Sequence, residues 1–341
     1  MTNALQKHFP MIRDKVQLLD EIRCSPALLS LFNSWEERYQ QEFLDFCTGV
    51  HGIKLLYDSF FKTIFNPDAT PERLERLLSL ILKTEVKILK VLPNDSTRIA
   101  AESSLLVLDI VIQLADGSIA NVEVQKIGYA FPGQRSACYS ADLLLRQYKR
   151  VKGEKGKFFS YKDIKKVYTI VLFEKSTSEF HQFQDIYLHR IKPKSDTGIQ
   201  IELLQEYVFI ALDIFQKKLD NKNNSITNEL EAWLAFLSMD DPNVILKLID
   251  AYPQFEPLYR EVYEMCRDLE RMMNMFSKEL AELDKNTVQY MIDEMQDTID
   301  AQKNQLDQKD LELKKLKKEI EALKKRLESE DFPLDDIENK E

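Results

Sequence analysis

Two carboxylates stand where β-strands would bury them. Asp109 interrupts the apolar run Leu105, Leu106, Val107, Leu108, Ile110, Val111 and Ile112, and Glu123 lies within Asn121, Val122, Val124 and Gln125. A charge removed from water without compensation costs several kcal/mol, so the fold must give each acid a partner, a cation or an open cleft. That requirement constrains the chain more than any other feature.

Between the runs lie Ala115, Asp116, Gly117 and Ser118, a turn signal joining a strand over 105–114 to one over 119–125 as an antiparallel pair. If the loop is Ala115 to Gly117, Leu114 pairs with Ser118 and Asp109 falls opposite Glu123, with Cβ atoms about 5 Å apart. Val107, Asp109, Val111, Asn121, Glu123 and Gln125 then form a polar face, and Leu108, Ile110, Ile112, Val122 and Val124 a core face. A two-residue loop would turn the two acids to opposite faces, so the pairing demands an odd-length or bulged turn.

Carboxylates this close repel unless a cation lies between them, and hard oxygen ligands suit Mg²⁺ or Mn²⁺, which can activate water for attack on a phosphodiester. The alternative is an exposed hairpin face on which both acids simply stay hydrated.

The first fifty residues read as helical, with Pro26 opening a segment in which Leu28, Leu29, Leu31, Phe32 and Trp35 recur at helical spacing. A short helix over 55–65 stops at Asn66, Pro67 and Asp68, and a second begins near Thr70 and Pro71. Residues 86–92 read as a strand. Pro132 and Gly133 mark the break before a helix over 134–149, a basic glycine-containing loop follows, and 166–173 reads as a buried strand. Runs over 183–190 and 199–210 extend the sheet, and the chain is helical thereafter. Ile292, Met295, Ile299, Leu306, Leu313, Leu316, Ile320, Leu323 and Leu327 follow one heptad seam, interrupted by Gln302 and Lys309. Such a seam suits a parallel dimeric coiled coil, whose polar positions fix register.

The net charge of −10 argues against nucleic acid as a partner only until its distribution is considered. Residues 146–175 carry ten bases (Arg146, Lys149, Arg150, Lys152, Lys155, Lys157, Lys162, Lys165, Lys166, Lys175) against three acids, whereas 328–341 hold seven acids and one lysine. The basic segment is either a phosphate-facing stripe or a solvated lysine-rich loop. Cys24, Cys47, Cys138 and Cys266 are too scattered for a zinc or redox motif and read as reduced structural thiols. None of the four histidines, His8, His51, His181 and His189, has a ligand spacing, and neither a P-loop nor a dinucleotide fingerprint is present. No apolar stretch is long enough for a membrane span and no signal peptide is apparent, which gives the expectation of a cytoplasmic protein with no membrane partner.

An Asp on one strand, Glu-x-Gln on the next and an Arg/Tyr-containing helix after them resemble the PD-(D/E)XK nuclease family of transposases, the recombination-promoting nucleases. The likeness spans about 57–209. It begins with Asp58, Phe61, Lys62 and Phe65, similar to that family's opening helix, and continues in order through Asp109, Glu123, Gln125, Arg135, Tyr139, Gly153 and a strand over 167–173.

The resemblance implies an α/β (α+β) restriction-endonuclease-like core, a central mixed sheet flanked by helices, followed by a C-terminal helical region and coiled coil. It divides the chain into an N-terminal helical segment (1–50), a nuclease-like domain (51–218), a helical region (219–284), the coiled coil (285–328) and an acidic, disordered tail (329–341). It implies catalytic Asp109, Glu123 and Gln125, with Asp109, Glu123 and the Val124 carbonyl holding Mg²⁺ or Mn²⁺ and Asp58, Lys62, Arg135 and Tyr139 in support. Most nuclease relatives carry Lys where this chain has Gln125, and the transposase-like group is expected to carry Gln. Its amide can orient the attacking water but lends it no positive charge. Lys126 is no substitute, because strand alternation turns it to the other face.

On the helix, Arg135, Tyr139, Asp142 and Arg146 share one stripe that can meet phosphate or lie solvated with a local Asp142 to Arg146 pair. The expected activity is metal-dependent hydrolysis of DNA by an endonuclease that dimerises through its coiled coil. The rival is a decayed nuclease fold kept as an interaction scaffold.

Overall fold

Several helices begin where the sequence supplies partners for their first N–H groups. Asn3 and Asp14 form capping boxes with Gln6 and Gln17 at the starts of α1 (Ala4–His8) and α2 (Lys15–Cys24). Ser25 caps α3 (Pro26–Asn33), whose first residue is proline, as is that of α6 (Pro71–Leu82). Between them lie α4 (Glu37–Cys47) and α5 (Asp58–Ile64). A computed structural model describes residues 3–92, 110–126, 132–221 and 225–329. Expectations for Asp109, for the strand over 105–109 and for the tail from 330 onward lie outside the described residues.

Six strands form one mixed sheet in the order β1-β2-β3-β4-β6-β5. These are β1 (Ile88–Val91), β2 (Ile110–Leu114), β3 (Ile119–Gln125), β4 (Val167–Phe173), β5 (Leu188–Ile191) and β6 (Gln205–Ala211). β3, β4 and β6 run parallel at the centre, while β1, β2 and β5 pair antiparallel toward the edges. The β3–β4 connection is α7 (Pro132–Lys155), as a parallel crossover requires.

The turn between β2 and β3 has the odd count. Leu114 N donates to Ser118 O at 2.8 Å, Ile110 pairs with Val122 and Val111 with Asn121. Gly117 adopts φ +87, and a Cβ there would lie 3.2 Å from Lys165 Cγ.

One face of the sheet, carrying Ile110, Ile112, Val122, Ile170, Leu172, Val208 and Ile210, packs on a large core shared with the N-terminal helices and with α9 (Leu212–Asn221), α10 (Glu229–Ser238), α11 (Pro242–Ala251), α12 (Glu256–Met265) and the start of α13 (Leu269–Ser329). Phe276 of α13 centres an aromatic cluster with Trp35, Phe43, Phe46 and Tyr57. The other face lies under α7, where Tyr139 and Leu143 pack on Val111, Ile119 and Val167. The face expected to be polar is therefore covered, and Asn121, Glu123 and Gln125 are all buried. Polar groups on α7 meet this face: Ser140 Oγ accepts from Gln205 Nε2 at 3.0 Å, and Gln147 Oε1 accepts from Lys165 N at 2.6 Å.

Three sequence expectations change. The helix after Pro132 reaches Lys155, because Gly153 faces open space and is tolerated within it. Over 183–190 only the end is strand, since turns that follow the short helix α8 (Ser178–His181), with the bonds Phe183 N to Phe180 O and Ile186 N to Phe183 O, occupy the start. Over 199–210, pairing begins at Gln205, and Ile199, Ile201 and Leu203 before it are exposed.

The chain divides into two compact units, Met1–Thr287 and Val288–Glu341. The second is α-helical through Ser329, and its seam residues Met295, Ile299, Leu306, Leu313, Leu316, Ile320 and Leu323 are exposed in the single chain. Cys47 and Cys266 are buried free thiols, Cys24 and Cys138 exposed ones. Among the described residues no helix is long and apolar enough to cross a membrane.

Replacing Gly117 by alanine forces a side chain into left-handed backbone. It is expected to lower stability by about 1–2 kcal/mol in urea unfolding; an unchanged midpoint would contradict the turn geometry.

Candidate active site

Because side chains alternate along β3, Asn121, Glu123 and Gln125 share the face under α7, while Val124 and Lys126 point to the other. Glu123 is 5% exposed. A carboxylate so placed needs positive charge nearby, and the first turn of α7 brings it: Arg135 Nε lies 3.6 Å from Glu123 Oε1. Arg135 Nε also donates to Tyr139 Oη at 2.6 Å, with its guanidinium carbon 5.3 Å from the Tyr139 ring centroid. The buried phenol thus steadies the guanidinium above the acid.

Glu123, Arg135 and Tyr139 are thereby brought together, and Gln125 lies on the same face one alternation further along. Residues 142 and 146 form the expected pair, with Arg146 Nη2 2.7 Å from Asp142 Oδ2, but Asp142 is buried, so the stripe is not a solvated one. Asp58 and Lys62 pair with each other at 2.7 Å on the partly exposed side of α5. That helix begins directly after Tyr57, whose ring lies 4.4 Å from Lys126 Nζ, so it starts near the end of β3.

Polar residues beyond the expected set line the same face. Asn121 of β3 pairs in register with Thr169 of β4. Both are fully buried, and Asn121 Oδ1 and Nδ2, Thr169 Oγ1 and Gln125 Nε2 have no hydrogen-bond partner among the described residues. Orphaned buried polar atoms beside a carboxylate indicate a place for water, an ion or substrate oxygen. Thr169 shows the signal that singled out Asp109, a polar residue inside an apolar strand, and Asn121 lies two residues before Glu123.

The donor set here, a carboxylate with amide and hydroxyl oxygens, has the hardness of a Mg²⁺ or Mn²⁺ site. Among the described residues no three His, Cys, Asp or Glu side chains group as ligands, and Asp109 is outside them.

The opposite face at the end of β3 holds a second polar cluster. Lys126, half-buried, pairs with the buried Glu279 of α13 and lies over Tyr57. Lys54 Nζ lies 2.9 Å from Glu42, which also accepts from the Tyr57 phenol. Burial, and then the Glu42 carboxylate, push that phenol up. Glu174, whose N–H donates to Gln125 O at 2.8 Å, has its carboxyl raised by burial, partly offset by Lys126 and Lys54. Lys126 thus faces away from Glu123.

A mixed sheet with an antiparallel β1–β3 meander, a parallel β4 and an acid on β3 under the crossover helix defines a restriction-endonuclease-like α/β nuclease fold. The model of the PD-(D/E)XK nuclease family transposase matches residues 55–294, more than two thirds of the 341-residue chain, and the chain belongs to that family. Membership makes it a nuclease-type hydrolase with a nuclease- or transposase-like function, and a nuclease family implies DNA binding. Neither a curated protein nor a solved structure matches it.

Two expectations follow from the cluster around Lys126. Lys126→Met alone strands the Glu279 charge and is expected to cost about 3–5 kcal/mol, whereas the double variant Lys126→Met/Glu279→Leu recovers most of it. Chemical denaturation checks this, and a double variant no more stable than the single one would contradict it. Because the Glu174 carboxyl is raised in the fold, its stability contribution is present at low pH and is lost as pH rises through its folded value. Glu174→Gln is therefore expected to melt higher than the parent at pH about 7.5, with the gap closing near pH 4, around the ordinary glutamate value. A neutral-pH melting point below the parent's would contradict the burial effect.

Proposed function

We propose that the chain is a divalent-metal-dependent endodeoxyribonuclease, with Asp109, Glu123 and Gln125 as its catalytic residues. The observation that carries this reading is that Glu123 and Gln125 lie buried on one face of β3 beneath Arg135, among orphaned polar groups. The β2–β3 register supports the role of Asp109. Ile110 pairs with Val122, and one further step of the same register would set Asp109 against Glu123.

In this reading Asp109, Glu123 and the Val124 carbonyl hold Mg²⁺ or Mn²⁺. When bound, such a cation neutralises the scissile phosphate and acidifies the attacking water. Gln125 orients that water through its side-chain amide, and Arg135, steadied by Tyr139, holds a non-bridging phosphate oxygen. Asp58 and Lys62 act in support from the α5 helix. The exposed heptad seam of α13 joins two chains in a parallel coiled coil, giving two active sites for the two strands of a duplex.

One observation favours the rival reading, a fold that has lost catalysis and serves as a scaffold. Gln125 carries no charge, and the adjacent Lys126 is committed to Glu279 on the far face. A cleavage assay separates the two. The purified chain is expected to cut plasmid DNA with Mg²⁺ or Mn²⁺ but not with EDTA, and Asp109→Ala and Glu123→Ala to abolish cutting. Gln125→Ala is expected to lower kcat about 100-fold or more, as does loss of a single transition-state hydrogen-bond donor elsewhere. No cleavage by the parent chain, or equal cleavage by Glu123→Ala, would remove the catalytic reading.

A further inference from the structure

At the end of α7 remote from Arg135, the chain breaks out of the helix at Gly156, where φ is +53, into two short 3₁₀ turns, Gly156–Phe158 and Tyr161–Asp163. These turns present aromatic side chains to solvent: Phe158 is 90% exposed and Tyr161 76%. The two rings stand three residues apart, and clustered exposed apolar surface marks interaction sites. Nor is the Tyr161 ring loosely held. It stacks on Tyr148 at 6.2 Å with an interplanar angle of 13°, and Phe159 buttresses both rings edge-on at 5.4 and 5.5 Å. Lys152 Nζ fixes the Tyr148 phenol with a 2.8 Å hydrogen bond.

Around these rings the surface is cationic. Asp163 offsets Lys155 at 2.5 Å and also attracts Lys165, but Lys149, Lys157 and Lys162 form no ion pair among the described residues. Preset aromatic faces interleaved with unpaired lysines suit a polymer with alternating flat bases and phosphates. A folded acidic protein would use the charges but leave Phe158 without a stacking partner.

We infer that this basic-aromatic surface at the Lys152–Lys165 end of α7 is a binding platform for single-stranded DNA, with unpaired bases stacking on Phe158 and Tyr161 and lysines tracking the phosphates. The polymer's identity as DNA rests on the nuclease reading. The platform itself rests on the exposed rings and lysines. From Arg135 to Lys152 the helix axis runs about 25 Å at 1.5 Å per residue, about seven nucleotides at stacked spacing. A strand held at the platform and running along α7 spans the distance to Arg135, which lies over Glu123, so the substrate class is frayed, gapped or otherwise locally unpaired DNA.

The test is fluorescence anisotropy with the full chain in EDTA, which separates binding from cleavage, using labelled oligothymidylate of about 16 nucleotides and a blunt duplex. Phe158→Ala/Tyr161→Ala, at exposed positions that leave the core untouched, is expected to weaken oligothymidylate binding about 10-fold to 100-fold and duplex binding less than about 2-fold, since lysines dominate duplex affinity. Lys157→Gln/Lys162→Gln is expected to weaken both and to flatten the salt dependence by about one unit of slope or more. Unchanged oligothymidylate affinity in the aromatic variant, or equal loss on the duplex, overturns the platform. If the parent chain binds in this ring-dependent way yet cuts no DNA with metal, the catalytic reading falls and the platform stands. If it cuts but the aromatic variant binds like the parent, the platform falls alone.

Discussion

The burial of Glu123 on a central parallel strand is the constraint on which the rest of the site depends. An acid in that position needs positive charge beside it, and the next element of the chain, α7, brings a guanidinium in its first turn through Arg135. The helix must then cover a face that is partly polar, and its own buried positions include Ser136, Ser140 and Gln147, of which Ser140 bonds Gln205 of β6 and Gln147 bonds the backbone just before β4. A wholly apolar inner stripe would have stranded more of the sheet's polar groups.

β3 serves two chemistries through its period of two. Its residues under α7, Asn121, Glu123 and Gln125, make the candidate site, while Lys126, one residue on, is drawn to the other side by Glu279 and Tyr57. The ion pair fastens the strand end to α13, and Glu174 N–H binds the Gln125 carbonyl from β4. The backbone on which Glu123 and Gln125 are mounted is therefore held by the helical layer on one side and by the adjacent strand within the sheet, which is what a site working at fixed geometry requires.

The hairpin was legible in the sequence through its turn residues and the alternation of side chains, but its register was not, because the turn could hold two residues or three. The structure has three, Ala115 to Gly117, with Ile110 opposite Val122. The opening proline of α3 and α6 and the apolar β4 were equally readable, since capping and β-branched runs act over a few residues. The cover over the polar face was not, because α7 buries polar residues and its stripe of Arg135, Tyr139, Asp142 and Arg146 has the pattern of a solvated helix. Only tertiary contact reveals that Tyr139 and Asp142 are inside. The strand over 183–190 begins only at Leu188 because Phe183 and Ile186 serve turns, which share the composition of an edge strand. Thr169 carried its signal in plain view, and its meaning emerges only when register sets it beside Asn121.

Calorimetric titration of Mn²⁺ into the full chain without DNA, beside Glu123→Gln with matching circular dichroism, tests the central claim most directly, because it asks about the site before any chemistry. Saturable binding by the parent that weakens at least about 10-fold in the variant is expected, since removing one ligand carboxylate from a hard-cation site costs that much or more. Equal binding by the two proteins, or none by the parent, would contradict a metal site at Glu123.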